Sequence, residues 1–215
     1  GFAAVDTAPT YGNETDVGRS LDAHAFLICK VPHKAYVAAD VTKAIKDSLR
    51  RLGRTRCQLL LLHWPKNAIE NGTLREVWEA MEAAVDRGEA GTLGVCNFTV
   101  AALEFLRSLG VRIPPAVNQV ERHPLLPNWE LLDYCAGRGI VLQAHTPLGQ
   151  GHPRLLAHAA VTKAAAASGL TPAQVCLQWN LRHGVAVAPK CSSARHAAEA
   201  LSAAAPQAGG GEAEA

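Results

Sequence analysis

The sequence predicts a parallel α/β fold, because short apolar runs alternate along the chain with segments of helical periodicity. Seven runs are predicted to be strands, and most are apolar at successive positions, as strands covered on both faces by helices are. They are residues 3–7, 26–31, 57–63, 93–96, 116–121, 141–144 and 185–188. Repeated strand–helix order is typical of a parallel sheet, but spacing alone does not separate an open doubly wound sheet from a closed barrel.

The first two long helices carry sequence signals at both ends. Asp40 is predicted to cap a helix that Gly53 ends, since apolar residues recur at helical spacing between them. Thr73 and Glu76 fit a capping box for the next helix, which Gly88 ends.

Two later helices have similar boundary signals. Thr99 is predicted to begin a helix that stops near Gly110. Thr171, followed by a proline and by Gln174, combines a cap with a box partner, and that helix is predicted to run to Gly184. No GxGxxG follows any predicted strand, which argues against a Rossmann dinucleotide fold.

Composition excludes several classes of protein. The 215 residues are 48% hydrophobic with a net charge of +2, and charges of both signs are interspersed, which argues against a nucleic-acid-binding or membrane-surface protein. No apolar stretch reaches the roughly 18 residues of a membrane span, and no secretory leader is evident. The six cysteines form no CxxC pair, so we expect reduced core thiols, a cytoplasmic location and no metal site.

We expect one domain over residues 1–202 and a disordered Ala/Gly tail over residues 203–215, where apolar periodicity is lost.

Polar residues stand where three predicted strands end. Asp6, Lys30 and His63 each close an apolar run, and Tyr11 follows Asp6 by five residues. Each has an ordinary structural explanation when taken singly, such as a turn aspartate or a surface lysine. In an α/β barrel, however, the carboxyl ends of the strands meet at the active-site face.

These four residue types fit one mechanism. A tyrosine, with an ordinary pKa of about 10, is a poor acid–base group at neutral pH until a nearby cation lowers its pKa. Lys30 could supply that charge, with Asp6 holding the lysine in place. His63 could orient a carbonyl oxygen or relay the proton.

Six motifs in order resemble those of the aldo-keto reductase superfamily, and the resemblance covers roughly residues 1–201. They are Asp6-Thr7-Ala8-Pro9-Thr10-Tyr11-Gly12-Asn13-Glu14, Leu60-Leu61-Leu62-His63-Trp64-Pro65, Gly94-Val95-Cys96-Asn97-Phe98, Val117-Asn118-Gln119-Val120-Glu121, Thr146-Pro147-Leu148-Gly149 and Val187-Ala188-Pro189-Lys190. The resemblance implies a (β/α)8 TIM barrel and NADPH-dependent reduction of aldehydes or ketones. It implies Tyr11 as general acid, Lys30 lowering its pKa, Asp6 as partner of the lysine and His63 orienting the substrate.

The resemblance also implies a cofactor site. The residues expected around the nicotinamide and its phosphates are Cys96, Asn97, Gln119, His145, Thr146 and Leu148, where Cys96 and His145 replace the usual Ser and Tyr. Those expected at the 2′-phosphate are Lys190, Cys191, Arg195 and His196, of which Cys191 and His196 replace the usual Ser and Arg. NADPH is therefore expected, with NADH as the alternative. Trp64 is expected to line the substrate mouth or to pack at its rim.

The chain departs from the family pattern at both ends. The strand of Asp6 corresponds to the second barrel strand, so the first strand and helix have no counterpart, and neither does the C-terminal loop after Leu201. A fragment of a longer protein or a divergent copy would explain this. We expect a monomer acting on a small carbonyl substrate, with self-association through an open barrel edge as the alternative. A catalytically impaired, cofactor-binding or scaffold relative is the competing function, and a Rossmann dehydrogenase is disfavoured.

Overall fold

The computed structural model describes residues 2–204, in which the strands lie in one sheet in chain order, from β1 to β7. The pairs from β1 to β5 are parallel, as consecutive βα units require. All seven predicted strands are present, with small differences at their ends. They are β1 Ala4–Asp6, β2 Phe26–Val31, β3 Cys57–Leu62, β4 Ala90–Cys96, β5 Val117–Glu121, β6 Val141–His145 and β7 Ala186–Ala188.

Helices occupy the connections between the strands. They are α1 Glu14–Ser20, α2 Ala38–Leu52, α3 Lys66–Glu70, α4 Leu74–Asp86, α5 Val100–Ser108, α6 Trp129–Ala136, α7 Pro153–Leu156, α8 Ala159–Ser168, α9 Pro172–Arg182 and α10 Ala194–Ala203. Short 3-10 turns at Pro9–Tyr11 and Gly149–Gly151 follow β1 and β6. Within the described residues, no helix is long and apolar enough to cross a membrane.

The described chain divides into two compact units. The larger unit comprises residues 2–121 and 128–143, and the smaller unit comprises residues 122–127 and 144–204.

The core of the larger unit forms around β2, β3 and β4. Ile28, Leu59, Leu61 and Cys96 form one buried cluster on these strands. Gly94 lies beside it, and a Cβ there would come within 2.6 Å of a Leu61 methyl group. Only glycine therefore fits this position without moving the core. Burial of each large aliphatic side chain stabilises the fold by about 1.5–3 kcal/mol.

The predicted Asp40 cap and the predicted Thr73–Glu76 capping box are both wrong, and a hydrogen bond of Glu76 to another helix explains much of the error. Helix α2 begins two residues before Asp40, and the Glu76 carboxylate accepts a 2.8 Å hydrogen bond from the Ala38 backbone N–H. Thr73 is the N-cap of α4, but its side chain makes no capping hydrogen bond. Glu76 thus serves the neighbouring helix rather than a box with Thr73, a tertiary contact that local sequence does not reveal.

The other two predicted caps are confirmed. The Thr99 hydroxyl accepts from the Ala102 N–H at 3.2 Å, and Thr171 forms a complete capping box with Gln174.

The smaller unit has its own core of Leu155, Val161 and Cys176. Helix α10 continues through Ala203, which is buried, so the predicted tail does not begin at residue 203. Alanine has the highest helix propensity, which explains why the loss of apolar periodicity does not end the helix there. The remainder of the predicted tail, residues 205–215, lies outside the described residues.

Candidate active site

A buried ammonium group stands at the centre of the candidate site. Lys30 lies on β2, and its side chain has no solvent exposure. Its Nζ forms a short ion pair with Asp6 Oδ1 and donates a 3.3 Å hydrogen bond to the Tyr11 hydroxyl. A fully buried cation persists only with close partners, because burial removes its hydration. The three side chains therefore form one hydrogen-bonded group, which we call the proton-transfer group.

Local structure presents Tyr11 to solvent at the end of this group. The turn Pro9–Tyr11 follows β1, and Gly12 ends it with a φ of 70°, a left-handed conformation that glycine adopts without strain. Tyr11 remains 51% exposed. A substrate can therefore approach this residue while Lys30 stays buried.

His63, directly after β3, packs against the ring of Tyr11. The two rings meet edge to face with centroids 5.9 Å apart. Trp64 stacks on His63 at 6.4 Å and is 46% exposed. The structure thus brings together all four residues predicted to act on the substrate and places the predicted mouth residue beside them.

Burial governs the ionisation of Tyr11. It raises the pKa of the phenol above its ordinary value, while the Lys30 ammonium lowers that pKa and Asp6 adds to the rise. Lys30 thus acts in the expected direction, but the net shift is upward because desolvation is the largest contribution. Burial alone would lower the pKa of Lys30, yet attraction from Asp6 and Tyr11 together raises it. At neutral pH Tyr11 holds its proton and Lys30 its charge.

Two amides and a thiol lie next to these side chains. The Gln119 side chain is 1% exposed, and its Nε2 donates to Asp6 Oδ2 at 2.7 Å. Asn97 Nδ2 donates to the His63 carbonyl oxygen at 3.0 Å and to Cys96 Sγ at 3.2 Å. Burial raises the pKa of the Cys96 thiol to about 12, so it is neutral at physiological pH. Three predicted cofactor residues therefore adjoin the proton-transfer group.

Gln143 is a polar residue of this site that sequence reasoning missed. Its Oε1 accepts the second hydrogen of Gln119 Nε2 at 2.8 Å. One signal in the sequence could have identified it. Gln143 is an amide within the otherwise apolar strand β6, and it lies on the same strand face as His145, two residues later.

The remaining predicted nicotinamide residues belong to the smaller unit. His145 Nδ1 lies 3.0 Å from the Thr146 hydroxyl, and Thr146 adopts a left-handed φ of 51°. A β-branched residue in this conformation is strained, and such strain concentrates at functional loops. Leu148 is partly buried and packs against the core of that unit.

The predicted phosphate residues lie at the start of α10. Ser193 caps this helix by accepting from the His196 N–H at 3.2 Å, and Lys190, Arg195 and His196 are exposed. Cys191 is half-buried, with Sγ 4.0 Å from the Pro189 carbonyl oxygen. A helix start with flanking cations is a chemically suitable site for a phosphate. Among residues 2–204, no group of three or more His, Cys, Asp or Glu side chains is placed to hold a metal ion.

Comparisons with known proteins point to one family. The sequence model of the Aldo/keto reductase family matches residues 1–207. An aldo-keto reductase from Mycobacterium sp. (strain MCS) is 40% identical over 190 residues, covering 86% of this chain and 65% of the relative. The glyoxal reductase of Bacillus subtilis (strain 168) is 37% identical over 196 residues, covering 88% of this chain and 68% of the relative.

Solved structures match over nearly the whole chain. A crystal structure of a Gox0644 mutant in complex with NADPH has a TM-score of 0.88 at 32% identity, covering 94% of this chain and 74% of that one. These neighbours are (β/α)8 barrels, which confirms the predicted fold class. The chain spans about two thirds of the length of the curated relatives it matches, as the 65% coverage of the mycobacterial protein illustrates.

Proposed function

The chain belongs to the aldo/keto reductase family of oxidoreductases, and we propose that it reduces small aldehydes and ketones to alcohols with NADPH. The observation that carries this proposal is the position of Lys30, whose buried Nζ contacts both Asp6 and the hydroxyl of Tyr11, a residue that is half exposed. A protonated phenol at a solvent-open mouth, held by a buried cation, is suited to donate a proton to a carbonyl oxygen.

Each residue of the site has a proposed task in this reaction. Tyr11 donates its phenolic proton to the carbonyl oxygen as the carbon is reduced. Lys30 stabilises the phenolate that forms, because its charge stands 3.3 Å from the phenolic oxygen. His63, edge to face with Tyr11, holds the carbonyl oxygen in the orientation that receives the proton.

The residues present fit NADPH. The Asn97 amide beside His63 can hold a carboxamide, whereas both hydrogens of the Gln119 amide are already taken by Asp6 and Gln143. The exposed Lys190 and Arg195 near the start of α10 can hold a phosphate. When bound, the nicotinamide supplies the hydride that no side chain can provide. The match to the NADPH complex of a Gox0644 mutant supports this choice of cofactor.

Small reactive aldehydes, including α-oxoaldehydes, are the proposed substrates. The glyoxal reductase of Bacillus subtilis is among the relatives, which supports a dicarbonyl of this size. The half-exposed Trp64 offers an apolar wall beside His63 for the remainder of a substrate.

The test is NADPH consumption, followed by absorbance, with glyoxal and a panel of small aldehydes. We expect turnover by the wild-type chain and a loss of at least about a hundredfold in Tyr11→Phe, since general acid catalysis contributes that much or more. Tyr134→Phe is the matched control, because its hydroxyl bonds to Glu104 and lies outside the proton-transfer group. Tight NADPH binding without turnover on any carbonyl would instead favour a cofactor-binding protein.

A further inference from the structure

The amide of Gln119 uses both of its hydrogens inside the site. One goes to Asp6 Oδ2 at 2.7 Å and the other to Gln143 Oε1 at 2.8 Å. Asp6 Oδ1 in turn pairs with Lys30 Nζ, which donates to Tyr11. A continuous chain of hydrogen bonds therefore links Gln143 on β6 to the Tyr11 hydroxyl.

Chemistry fixes the direction of each amide in this chain. A carboxylate only accepts hydrogen bonds, so the atom of Gln119 that faces Asp6 must be its NH2 group. The second hydrogen of that group must then meet an acceptor, which orients the amide oxygen of Gln143 toward Gln119. The charge of Asp6 thus determines both amide orientations.

We propose that Gln143 is a positioning residue, which holds Gln119 so that its NH2 group stays on Asp6 and Asp6 stays on Lys30. The proposal rests on the proposed function for its catalytic consequence, but the hydrogen-bond chain exists without it. The side chain of Gln143 accepts its hydrogen bond from Gln119 rather than from Asp6, Lys30 or Tyr11, so it acts through Gln119.

The neighbours of Gln143 show that its polarity is not a general feature of this strand. Leu142 and Ala144 on either side are buried and apolar, whereas Gln143 is half-buried with its amide on Gln119. An apolar side chain at this position would leave one hydrogen of the buried Gln119 amide without an acceptor. Gln119 could then rotate away and withdraw its hydrogen bond from Asp6.

The first variant is Gln143→Met, which keeps the length of the side chain and removes the acceptor. Loss of the Gln119 hydrogen bond concentrates negative charge on Asp6, which raises the pKa of Tyr11. We expect the ionisation midpoint of Tyr11, measured by ultraviolet absorbance against a Tyr11→Phe background, to rise by about half a pH unit. We also expect kcat to fall about tenfold with KM for the aldehyde within about threefold.

The conservative variant is Gln143→Glu, which retains an acceptor for Gln119. It should keep kcat within about threefold of wild type, while its added charge raises the Tyr11 midpoint. The matched control is Gln58→Met. Gln58 lies on β3, and its Oε1 accepts a 2.8 Å hydrogen bond from the Leu27 N–H on β2 rather than from a group of the site. It should lower stability and leave both the midpoint and kcat unchanged.

Unchanged midpoint and kcat in a folded Gln143→Met protein would overturn the proposal, as would equal losses of kcat in the Met and Glu variants. If Gln143→Met does not fold, a loss of kcat of about tenfold or more in a folded Gln143→Glu protein overturns it, because that variant keeps the acceptor for Gln119. The titration needs no turnover, so the two proposals can fail separately. If the wild-type protein is inactive but Gln143→Met still raises the Tyr11 midpoint, the proposed function is rejected and the positioning role of Gln143 is retained.

Discussion

The proton-transfer group and the predicted phosphate residues of the smaller unit differ in burial and in pairing. Lys30 is fully buried and its ammonium is held by Asp6 and Tyr11, within a chain of hydrogen bonds that reaches Gln143. Lys190 and Arg195 lie exposed near one helix start. The first arrangement has its geometry before any ligand arrives, whereas the second offers charge whose geometry a ligand must complete.

This contrast matches the pattern of replacements. The four residues to which the resemblance assigns the reaction, Asp6, Tyr11, Lys30 and His63, are all of the expected type, while the phosphate region carries Cys191 and His196 where the resemblance expects Ser and Arg. A buried charge network tolerates few changes because removing one partner leaves another charge unpaired. Exposed charges are individually worth little, so their replacement costs less.

Lys30→Met should produce the largest effect, and it tests whether the buried, paired lysine matters more than an exposed one. Asp6 would lose its buried counter-charge, so we expect the free energy of unfolding to fall by about 3 kcal/mol and turnover by about a hundredfold. Chemical denaturation measures the free energy of unfolding, and NADPH consumption measures turnover. Lys43→Met, an exposed lysine paired with Asp47, should change the free energy of unfolding by less than about 0.5 kcal/mol. Similar losses in both variants would contradict the contrast.

The pH dependence of activity should report the proton-transfer group. The pKa of Tyr11 is raised, so its acid form persists above the ordinary tyrosine value of about 10 and carbonyl reduction should not fall before that pH. The reverse reaction, oxidation of the alcohol, needs the phenolate, so its rate should rise as the pH increases towards the pKa of Tyr11. Steady-state rates in both directions measure this. A reduction rate that falls tenfold between about pH 7 and about pH 9 would contradict the assignment of Tyr11.

Lys190→Ala tests the other region. If Lys190 holds the 2′-phosphate, the dissociation constant for NADPH should rise about tenfold, because a hydrogen bond to a charged group is worth about 1.5–3 kcal/mol. The constant for NADH, which lacks that phosphate, should change less than about twofold. Fluorescence titration measures both. Lys163→Ala on α8 is an exposed control in the same unit, and an equal effect there would remove the special role of Lys190.

Glu76→Ala should have the smallest effect and leave both regions intact. Its carboxylate caps α2 at the Ala38 N–H, so we expect a loss of about 1 kcal/mol in stability with no change in kcat or NADPH affinity. Glu79→Ala, an exposed residue whose partner Arg75 lies 3.7 Å away, is the control and should cost less than about 0.5 kcal/mol. Thermal unfolding distinguishes them.

The four candidate residues around Tyr11 could be predicted from the sequence because polar residues at the ends of apolar strands are conspicuous. Asp6, Lys30 and His63 each interrupt a hydrophobic run, and the topology of a parallel sheet brings such positions to one face. The seven strands were predictable for the same reason, since their apolar runs are bounded by helical patterns.

Contacts between distant segments were not predictable from local patterns. Glu76 suited a capping box with Thr73, yet its true partner is Ala38, 38 residues earlier in the chain. The net rise in the pKa of Tyr11 also required the structure, because residue types reveal the cation beside it but not the degree of burial that outweighs that cation. Gln143 was missed because its role depends on the orientation of a second amide.

Tyr11 as the general acid is tested most directly by measuring NADPH binding and single-turnover reduction of a small aldehyde by Tyr11→Phe. We predict a dissociation constant within about threefold of wild type and a rate at least about a hundredfold lower, because the phenol supplies the proton and the cofactor is held elsewhere. A rate close to that of the wild-type protein would contradict this role of Tyr11, as would an equal loss of binding and rate.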